Sequence, residues 1–405
     1  VTGLIELQIE RAVAGGRMLA RHDGQVVLVS GAIPGERVRV RVERRVKNTL
    51  FASAVEVLEA SADRREPSCD PACGGLAFAH VQYARQLAMK SEIVSDAFRR
   101  IARITLPEPA VSASPETGYR LRARLHVRNG RPGFFREGTH DWCDAAPTAQ
   151  LLPASLAEAE EAVRALGADV AFCEAVVVSE NVAASERALL LEPVRDRRLP
   201  APADARTEVS DTAAELFGAD PPIDGGVRWT RHVRSFFQGN RFLTGDLVRH
   251  VLAQAAGDRC VDLYAGVGLF AVALAACGSR VVAVEGDEFS ARDLALNAEP
   301  WGDRLRTIRA PVEEVSAADH LGGAPDIVVL DPPRTGLSPR ALHRVFESHA
   351  PRIVYVSCDP PTLARDAAAF VKQGFAVESA RAFDLFPNTP HIEAVVSFVS
   401  ERAAR

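Results

Sequence analysis

Five short segments toward the end of the chain hold residues able to act together: "DLYAGVG" (262–268), "VEGD" (284–287), "LDPPRTG" (330–336), "YVSCDPP" (355–361) and "DLFPNTPHIEAVV" (384–396). Cys358 is the most pointed of these residues. It stands between an apolar run and the turn residues Asp359, Pro360 and Pro361. A cysteine in an apolar strand usually packs. A cysteine at the end of one, with Ser357 and Asp359 beside it, is placed to be a nucleophile. A free thiol has a pKa of roughly 8.5, so such a role requires local activation.

The elements that would position it are legible in the same segments. "CVDLYAGVG", "RVVAVEGD", "DIVVLDPPRTG" and "RIVYVSCDPP" are apolar runs of strand length, each followed by a turn and a helix-length stretch. That alternation predicts an open, mostly parallel sheet, with ligands beyond the carboxyl ends of its strands. Two last runs, "FAVESARAF" and "IEAVVSFV", have no helix between them and predict an antiparallel hairpin closing the sheet edge. Gly266 and Gly268 fall in the first strand-to-helix turn, where a backbone without side chains can approach a ligand. Glu285 ends the next strand, about twenty residues on, where a carboxylate can accept both hydroxyls of a ribose. A dinucleotide or S-adenosylmethionine fits. The glycine spacing lacks the full phosphate-cradling pattern, and the acid-diproline segment from Asp331 suits a reacting centre at a methyl group, so S-adenosylmethionine is favoured.

A thiol beside a methyl donor points to one chemistry. C5 of a pyrimidine is too weak a nucleophile to take a methyl group directly. A thiolate adding at C6 makes C5 nucleophilic, and a base must then remove the C5 proton so that the thiol can leave. Glu393 follows a loop of prolines and polar residues and starts the last apolar run, which makes it the candidate base; His391 is the alternative. The bland readings are a helix cap for Asp331, a turn carboxylate for Glu285 and an exposed strand-end acid for Glu393.

The chain is 405 residues long, 47% hydrophobic and 25% charged, which predicts a globular protein of two or three domains. Residues 1–58 read as a small OB-like β-barrel: "RVRVRVERRV" (37–46) alternates at period two, "QVVLVS" (25–30) is a second strand, and Asp23-Gly24 and Pro34-Gly35 make turns. Ser61 to Pro67 reads as a polar linker. Residues 67–235 read as a central α+β domain. It opens with a helix on which Leu87, Val94, Phe98 and Ile101 share a face and Lys90 lies elsewhere; a helical stretch follows near 155–166, and loops at Pro200–Pro202 and Pro221-Pro222. Residues 236–405 form the parallel-sheet domain.

The net charge of −5 does not by itself indicate a nucleic-acid ligand. Arginines nevertheless crowd two stretches, from Arg37 to Lys47 and from Arg120 to Arg136, and a polyanion or plain arginine-rich composition explains them equally well. The absence of an apolar stretch long enough to span a bilayer, and of an apolar leader at the start, predicts a cytoplasmic protein without a membrane partner. Disulfides are not expected among the seven cysteines, and Cys173, Cys260 and Cys277 read as packing. Nothing in the sequence calls for more than a monomer.

Taken in order, "FFQGN", "DLYAGVG", "VEGD", "LDPPRTGL", "YVSCDP" and "DLFPNTPHIE" resemble the RNA uracil-5 methyltransferase family, the S-adenosylmethionine-dependent enzymes that make 5-methyluridine in rRNA and tRNA, over nearly the whole length. The first 58 residues resemble its TRAM domain, an RNA-binding barrel. The resemblance implies a class I methyltransferase fold, RNA as partner, and rRNA ahead of tRNA as substrate. It implies that Gln238, Tyr264, Gly266, Glu285 and Asp331 contact S-adenosylmethionine, that Arg334 lies near the target base, and that Cys358 is nucleophile and Glu393 base. Many members also hold a [4Fe–4S] cluster on four cysteines. Here Cys69, Cys73 and Cys143 match three of them, and Leu76 stands where the fourth is expected, so a cluster held by cysteines alone is not expected. Two further functions remain open at this point: an RNA-binding protein without catalysis, and an exocyclic amino-group methyltransferase, for which Cys358 would be dispensable.

Overall fold

The computed structural model describes residues 4–195, 197–199, 206–321 and 323–401; the loop expected at Pro200–Pro202 lies outside them. The alternating sequence of the first segment closes as a five-stranded barrel: β1 (Leu4–Ala12), β2 (Met18–His22), β3 (Gln25–Ser30), β4 (Arg37–Val46) and β5 (Thr49–Glu59), in the order β1-β2-β3-β5-β4. Val38 and Val40 of β4 are fully buried, while Arg37 and Arg39 point outward onto Glu6, Glu56 and Glu59. Those two arginines are thus occupied by carboxylates, and the basic side chains of this stretch left exposed without a carboxylate partner among the described residues are Arg41 and, near the tip of the β4–β5 hairpin, Arg44, Arg45 and Lys47.

The polar segment after the barrel is no free linker. Arg64 pairs with the fully buried Glu36, and Arg65 with Glu116 and Asn388, so side chains far apart in sequence stitch it down. Helix α1 (Tyr83–Ala97) continues as one π-helical turn at Phe98–Ala102 and stops at Arg103 in the left-handed region. It buries more than the one face its apolar spacing predicts. Met89 and Ile93 join the barrel core, and Val94, Ala97 and Phe98 join the core of the large sheet. Lys90, expected on a polar face, is wholly buried on Asp384 and on the carbonyl of Phe386, while Ile101 is 44% exposed.

The strand β6 (Val111–Ser112) leaves this region for the large sheet. Next come β7 (Arg122–Arg128), β8 (Arg131–Phe135), β9 (Trp142–Asp144), helix α2 (Pro153–Arg164), β10 (Cys173–Glu180) and β11 (Arg187–Pro193). The strands form a sheet in the order β11-β10-β7-β8-β9, with α2 on one face. A ribbon, β12 (Glu208–Thr212) with β13 (Arg228–His232), carries the short helix α3 (Ala213–Phe217) between its strands. Ala213, Leu216, Phe217 and Trp229 pack into the core of the large sheet. Within residues 67–235, α1 and β6 at one end and the ribbon at the other pack on the large sheet.

The remainder runs α4 (Thr244–Gln254), β14 (Arg259–Leu263), α5 (Leu269–Ala276), β15 (Arg280–Glu285), α6 (Glu288–Ala298), β16 (Leu305–Arg309), β17 (Ile327–Leu330), α7 (Pro339–Glu347), β18 (Arg352–Ser357), α8 (Pro360–Lys372), β19 (Phe375–Phe383) and β20 (Glu393–Ser400). Its sheet order is β16-β15-β14-β17-β18-β20-β19-β6. From β16 to β18 the strands are parallel, and β20 is antiparallel to both neighbours. The last hairpin does not close the edge as expected, because β6 adds in parallel to β19 through Ala382 and Phe383.

Lys90 and Asp384 form an ion pair with no exposed side-chain surface, tying α1 to the loop before β20. Removing one member leaves a buried charge unpaired, so Lys90→Ala is expected to lower unfolding free energy by about 3–5 kcal/mol, read by urea titration.

Candidate active site

The topology gathers the chemistry-bearing residues at one end of the large sheet. The chain leaves β14 toward β15 on one side and later fills β17 on the other, so the switch point lies between β14 and β17. Residues at the carboxyl ends then come in spatial order: Glu285 on β15, the turn 264–268 after β14, Asp331 after β17, Cys358 after β18. Because β20 runs antiparallel, its first residue lies at the same end: Ser357 pairs with Ala394, which sets Glu393 beside Cys358. At about 4.8 Å per strand, Asp331 stands roughly midway between the glycine turn and Cys358, with Glu393 one strand further on.

The turn after β14 is shaped for a ligand. Tyr264 holds a left-handed backbone at φ 62°. Gly266 follows at φ 56°, and a Cβ built on it would meet nothing within 4 Å, so its backbone faces open space. The amides of Gly266 and Asp287 donate to the two oxygens of Glu285, at 2.8 and 2.7 Å, and fix its carboxylate at the rim. Gln238 donates from Nε2 to Asp331 at 3.1 Å. Burial and the charge of Glu285 push the Asp331 carboxyl up to about 7, against the bond from Gln238.

Across from this turn, Cys358 is half-buried. Burial and the neighbouring Glu393 push its thiol up to about 11, and the Arg334 guanidinium works the other way. Asp359 caps α8 by accepting from the Thr362 amide at 2.9 Å, so the thiol sits just ahead of a helix N-terminus, which also favours a thiolate. Glu393 is 5% exposed; burial and the charge of Asp331 raise its carboxyl well above the usual range, again opposed by Arg334. His391 is pushed down to about 4 by burial and by Arg334, Lys90 and Arg120. Arg334 itself is exposed on the diproline loop and anchored through its carbonyl, which accepts from Thr362 at 3.1 Å.

Two parts of the site lie in segments the sequence singles out, but their surroundings were not legible there. Asp262 in β14 is fully buried, neither carboxylate oxygen has a partner among the described residues, and burial with the charge of Asp331 raises it well above its usual range. It reads in the sequence as one polar letter in an apolar strand. The loop 384–391 is the other. Gln86 and Asn388 bond each other through side chain and backbone, and a Cβ on Gly16 would touch Pro390 at 2.9 Å, so both α1 and the barrel abut the loop leading to Glu393.

The cysteines depart from expectation. Cys73 and Cys143 form a disulfide across 70 residues, where neither disulfides nor this pairing was anticipated. Cys73 bridges to Arg136 just after β8, and Cys143 on β9 pairs with Phe134 on β8, which brings the two cysteine Cα atoms to 5.9 Å. Two of the three residues expected to offer metal ligands thus bond each other, Cys69 stays free, and Leu76 is buried. Among the described residues no three His, Cys, Asp or Glu side chains are grouped to hold a metal. Cys173 and Cys260 are buried as expected; Cys277 is exposed where α5 ends.

Raised carboxyls make stability depend on pH. Asp331, Asp262 and Glu393 hold protons more tightly folded than unfolded, so they favour folding below the ordinary carboxylate range, and that contribution is lost as pH rises through about 7 for Asp331. The ligand-free protein is expected to melt at a higher temperature at pH 6 than at pH 8, and Asp331→Asn to flatten that difference, as thermal scans in the two buffers would read.

A doubly wound sheet with a glycine turn, a carboxylate fixed at the end of the neighbouring strand and a further strand-end acid defines a class I S-adenosylmethionine-dependent methyltransferase, here behind a TRAM barrel. The TRAM model matches residues 4–55, and the tRNA (uracil-5-)-methyltransferase model matches residues 224–401. The 23S rRNA (uracil(1939)-C(5))-methyltransferase RlmD of Halomonas elongata is 34% identical, over 100% of this chain and 91% of its own. That of Pseudomonas putida is 32% identical, over 97% and 93%. The crystal structure of Pyrococcus abyssi tRNA (uracil-54, C5)-methyltransferase in complex with S-adenosyl-L-homocysteine superposes with a TM-score of 0.73 at 26% identity, covering 97% of this chain and 99% of that one. The chain belongs to the RNA uracil-C5 methyltransferase family. No helix among the described residues is long and apolar enough to cross a membrane.

Proposed function

We propose that the enzyme forms 5-methyluridine in rRNA through a covalent adduct between Cys358 and C6 of the target uridine. The observation that carries this reading is the register of β18 and β20, which sets a thiol, one strand from Asp331 and two from the glycine turn, beside a buried carboxylate on the next strand. Gln238, Tyr264, Gly266, Glu285 and Asp331 hold S-adenosylmethionine, which supplies an electrophilic methyl group when bound. Glu285 takes the ribose hydroxyls, and the open backbone at Gly266 admits the body of the ligand.

Cys358 loses its proton to solvent and its sulfur bonds to C6, while the C5–C6 π electrons move onto C5 and O4. Arg334 beside the sulfur favours the thiolate. C5 then bonds to the methyl carbon as that carbon's bond to the donor sulfur breaks, the sulfur keeping the electron pair and leaving as S-adenosylhomocysteine. Glu393 takes the C5 proton, the C5=C6 bond re-forms, and the C6–sulfur bond breaks to return the thiolate. Strands at one sheet end hold both groups against the same base, which requires the uridine to be flipped out of any helix it occupies. The barrel and the exposed arginines hold the RNA. Ribosomal RNA is favoured because relatives named for 23S rRNA align over nine-tenths or more of their length.

The test uses labelled S-adenosylmethionine with unmodified rRNA and tRNA transcripts, followed by nucleoside mass analysis. Labelled 5-methyluridine confined to rRNA is expected. Label on an exocyclic nitrogen, or on tRNA alone, would overturn the reading.

A further inference from the structure

The sheet of β7 to β11 has two unlike faces. Ala123, Leu125, Val127, Phe134 and Cys143 point to α2 and form a core with it. Strand alternation and the pairings His126–Gly133 and Phe135–Trp142 put Arg124, His126, Arg128, Arg131, Gly133, Phe135 and Trp142 on the other face. Near the active site that face is covered by the ribbon, where Val209 and Val233 pack on Val177 and Ala188. Beyond the ribbon it holds aromatic rings under arginines. His126 and Phe135 stack with centroids 3.6 Å apart at 12°. Arg128 lies over Phe135 at 5.5 Å and Arg131 over Trp142 at 5.3 Å.

These rings are held in place. The Trp142 indole donates to the His126 carbonyl at 3.2 Å. It also lies against Gly133, where a Cβ would stand 2.4 Å from its nitrogen, so only glycine lets the ring lie down on the sheet. The charges are unequal in availability. Arg124 is held by Glu174 and Glu192, and Arg131 pairs with Asp144 at 62% side-chain exposure. Arg128 is exposed and donates only to the Val127 carbonyl among the described residues.

The patch is also in line with the active site. The Leu121 amide, just before β7, donates to the Gly239 carbonyl at 2.9 Å, and Arg122 reaches the Val233 carbonyl at 3.2 Å. A Cβ on Gly239 would touch Phe386 of the loop that leads to Glu393, at 2.8 Å. Strand β7 therefore starts at the rim of the site and runs outward, covering about 20 Å at roughly 3.3 Å per residue, room for several nucleotides.

We propose that this face is a stacking platform for the single-stranded RNA flanking the target uridine, in which the His126–Phe135 pair and Trp142 each receive a base and Arg128 and Arg131 meet the phosphates between them. Flat rings under cations, fixed on a rigid sheet, bind a strand of any sequence, since every base has a face to stack and every linkage a charge. The inference rests on the RNA-methylating reading and adds where the flanking strand lies.

The test compares wild type, His126→Ala/Phe135→Ala and Arg128→Glu/Arg131→Glu by filter binding of an rRNA fragment containing the methylated uridine, with single-turnover methylation in parallel. The first variant is expected to weaken RNA binding by roughly 5- to 150-fold. The second is expected to weaken it and lower its salt dependence by about two phosphate contacts. Both should keep wild-type affinity for S-adenosylmethionine and, at saturating RNA, a methylation rate within about twofold, a split that misfolding would not produce. RNA affinity within twofold of wild type in both variants, with wild type making 5-methyluridine normally, would overturn the platform alone. No 5-methyluridine from wild type on any RNA would overturn the parent reading and the platform with it.

Discussion

Cys358→Ala is expected to make no measurable 5-methyluridine, a loss of at least about 10,000-fold in single-turnover methylation, while binding S-adenosylmethionine as wild type does. The size of the loss follows from the substrate. Without a sulfur at C6 there is no route to a nucleophilic C5, and among the described residues no other free cysteine ends a strand of the large sheet at this site. The resting thiol is pushed up to about 11 by burial and Glu393, so little thiolate is present at neutral pH. The methylation rate should therefore climb with pH through the mildly alkaline range, and Arg334→Gln should lower it at any fixed pH by removing a cation that favours the thiolate. Methyl transfer persisting in Cys358→Ala, or a rate that falls as pH rises from 7 to 9, would sink the thiol mechanism and point to amino-group methylation.

What the sequence discloses about this site, and what it conceals, divides along a physical line. In a parallel sheet every strand delivers its carboxyl end to the same edge, so residues such as Glu285, Asp331 and Cys358 can be grouped by noting that each ends an apolar run. Glu393 joins them only because β20 is reversed, and the missing helix before it announces the reversal. Partners distant in sequence leave no such trace. Lys90 meets Asp384 across 294 residues and Arg65 meets Asn388 across 323, so α1 read as an ordinary amphipathic helix and the segment before it as a linker. The arginine stretches show the same limit. Arg37 and Arg39 are occupied by glutamates of neighbouring strands, whereas Arg128 is open, and only the strand register tells them apart. Cys73 and Cys143 belong here too: spacing resembled a ligand set, and the fold made two of its members each other's partner.

Glu393→Gln is expected to stall the reaction after methyl transfer and leave protein joined to RNA through the Cys358 sulfur. Turnover should fall by about 100- to 10,000-fold, the usual range for losing a positioned base. A slow-migrating RNA–protein band should survive denaturing electrophoresis and carry label from the methyl group. The choice between the two candidate bases turns on proton affinity. His391 is pushed down to about 4, so its imidazole holds a proton poorly at neutral pH. Glu393 is raised well above the usual carboxylate range by burial and Asp331, so once ionised it is the stronger base, and it starts the strand that pairs with the one ending at Cys358. Glutamine keeps the shape and loses the proton affinity. His391→Asn should therefore slow turnover modestly without accumulating adduct, since its backbone amide, which donates to Thr389 at 3.1 Å, still holds the loop. Adduct accumulating in His391→Asn and not in Glu393→Gln would reverse the assignment. Adduct in neither, with turnover of Glu393→Gln within tenfold of wild type, would remove Glu393 from the proton transfer altogether.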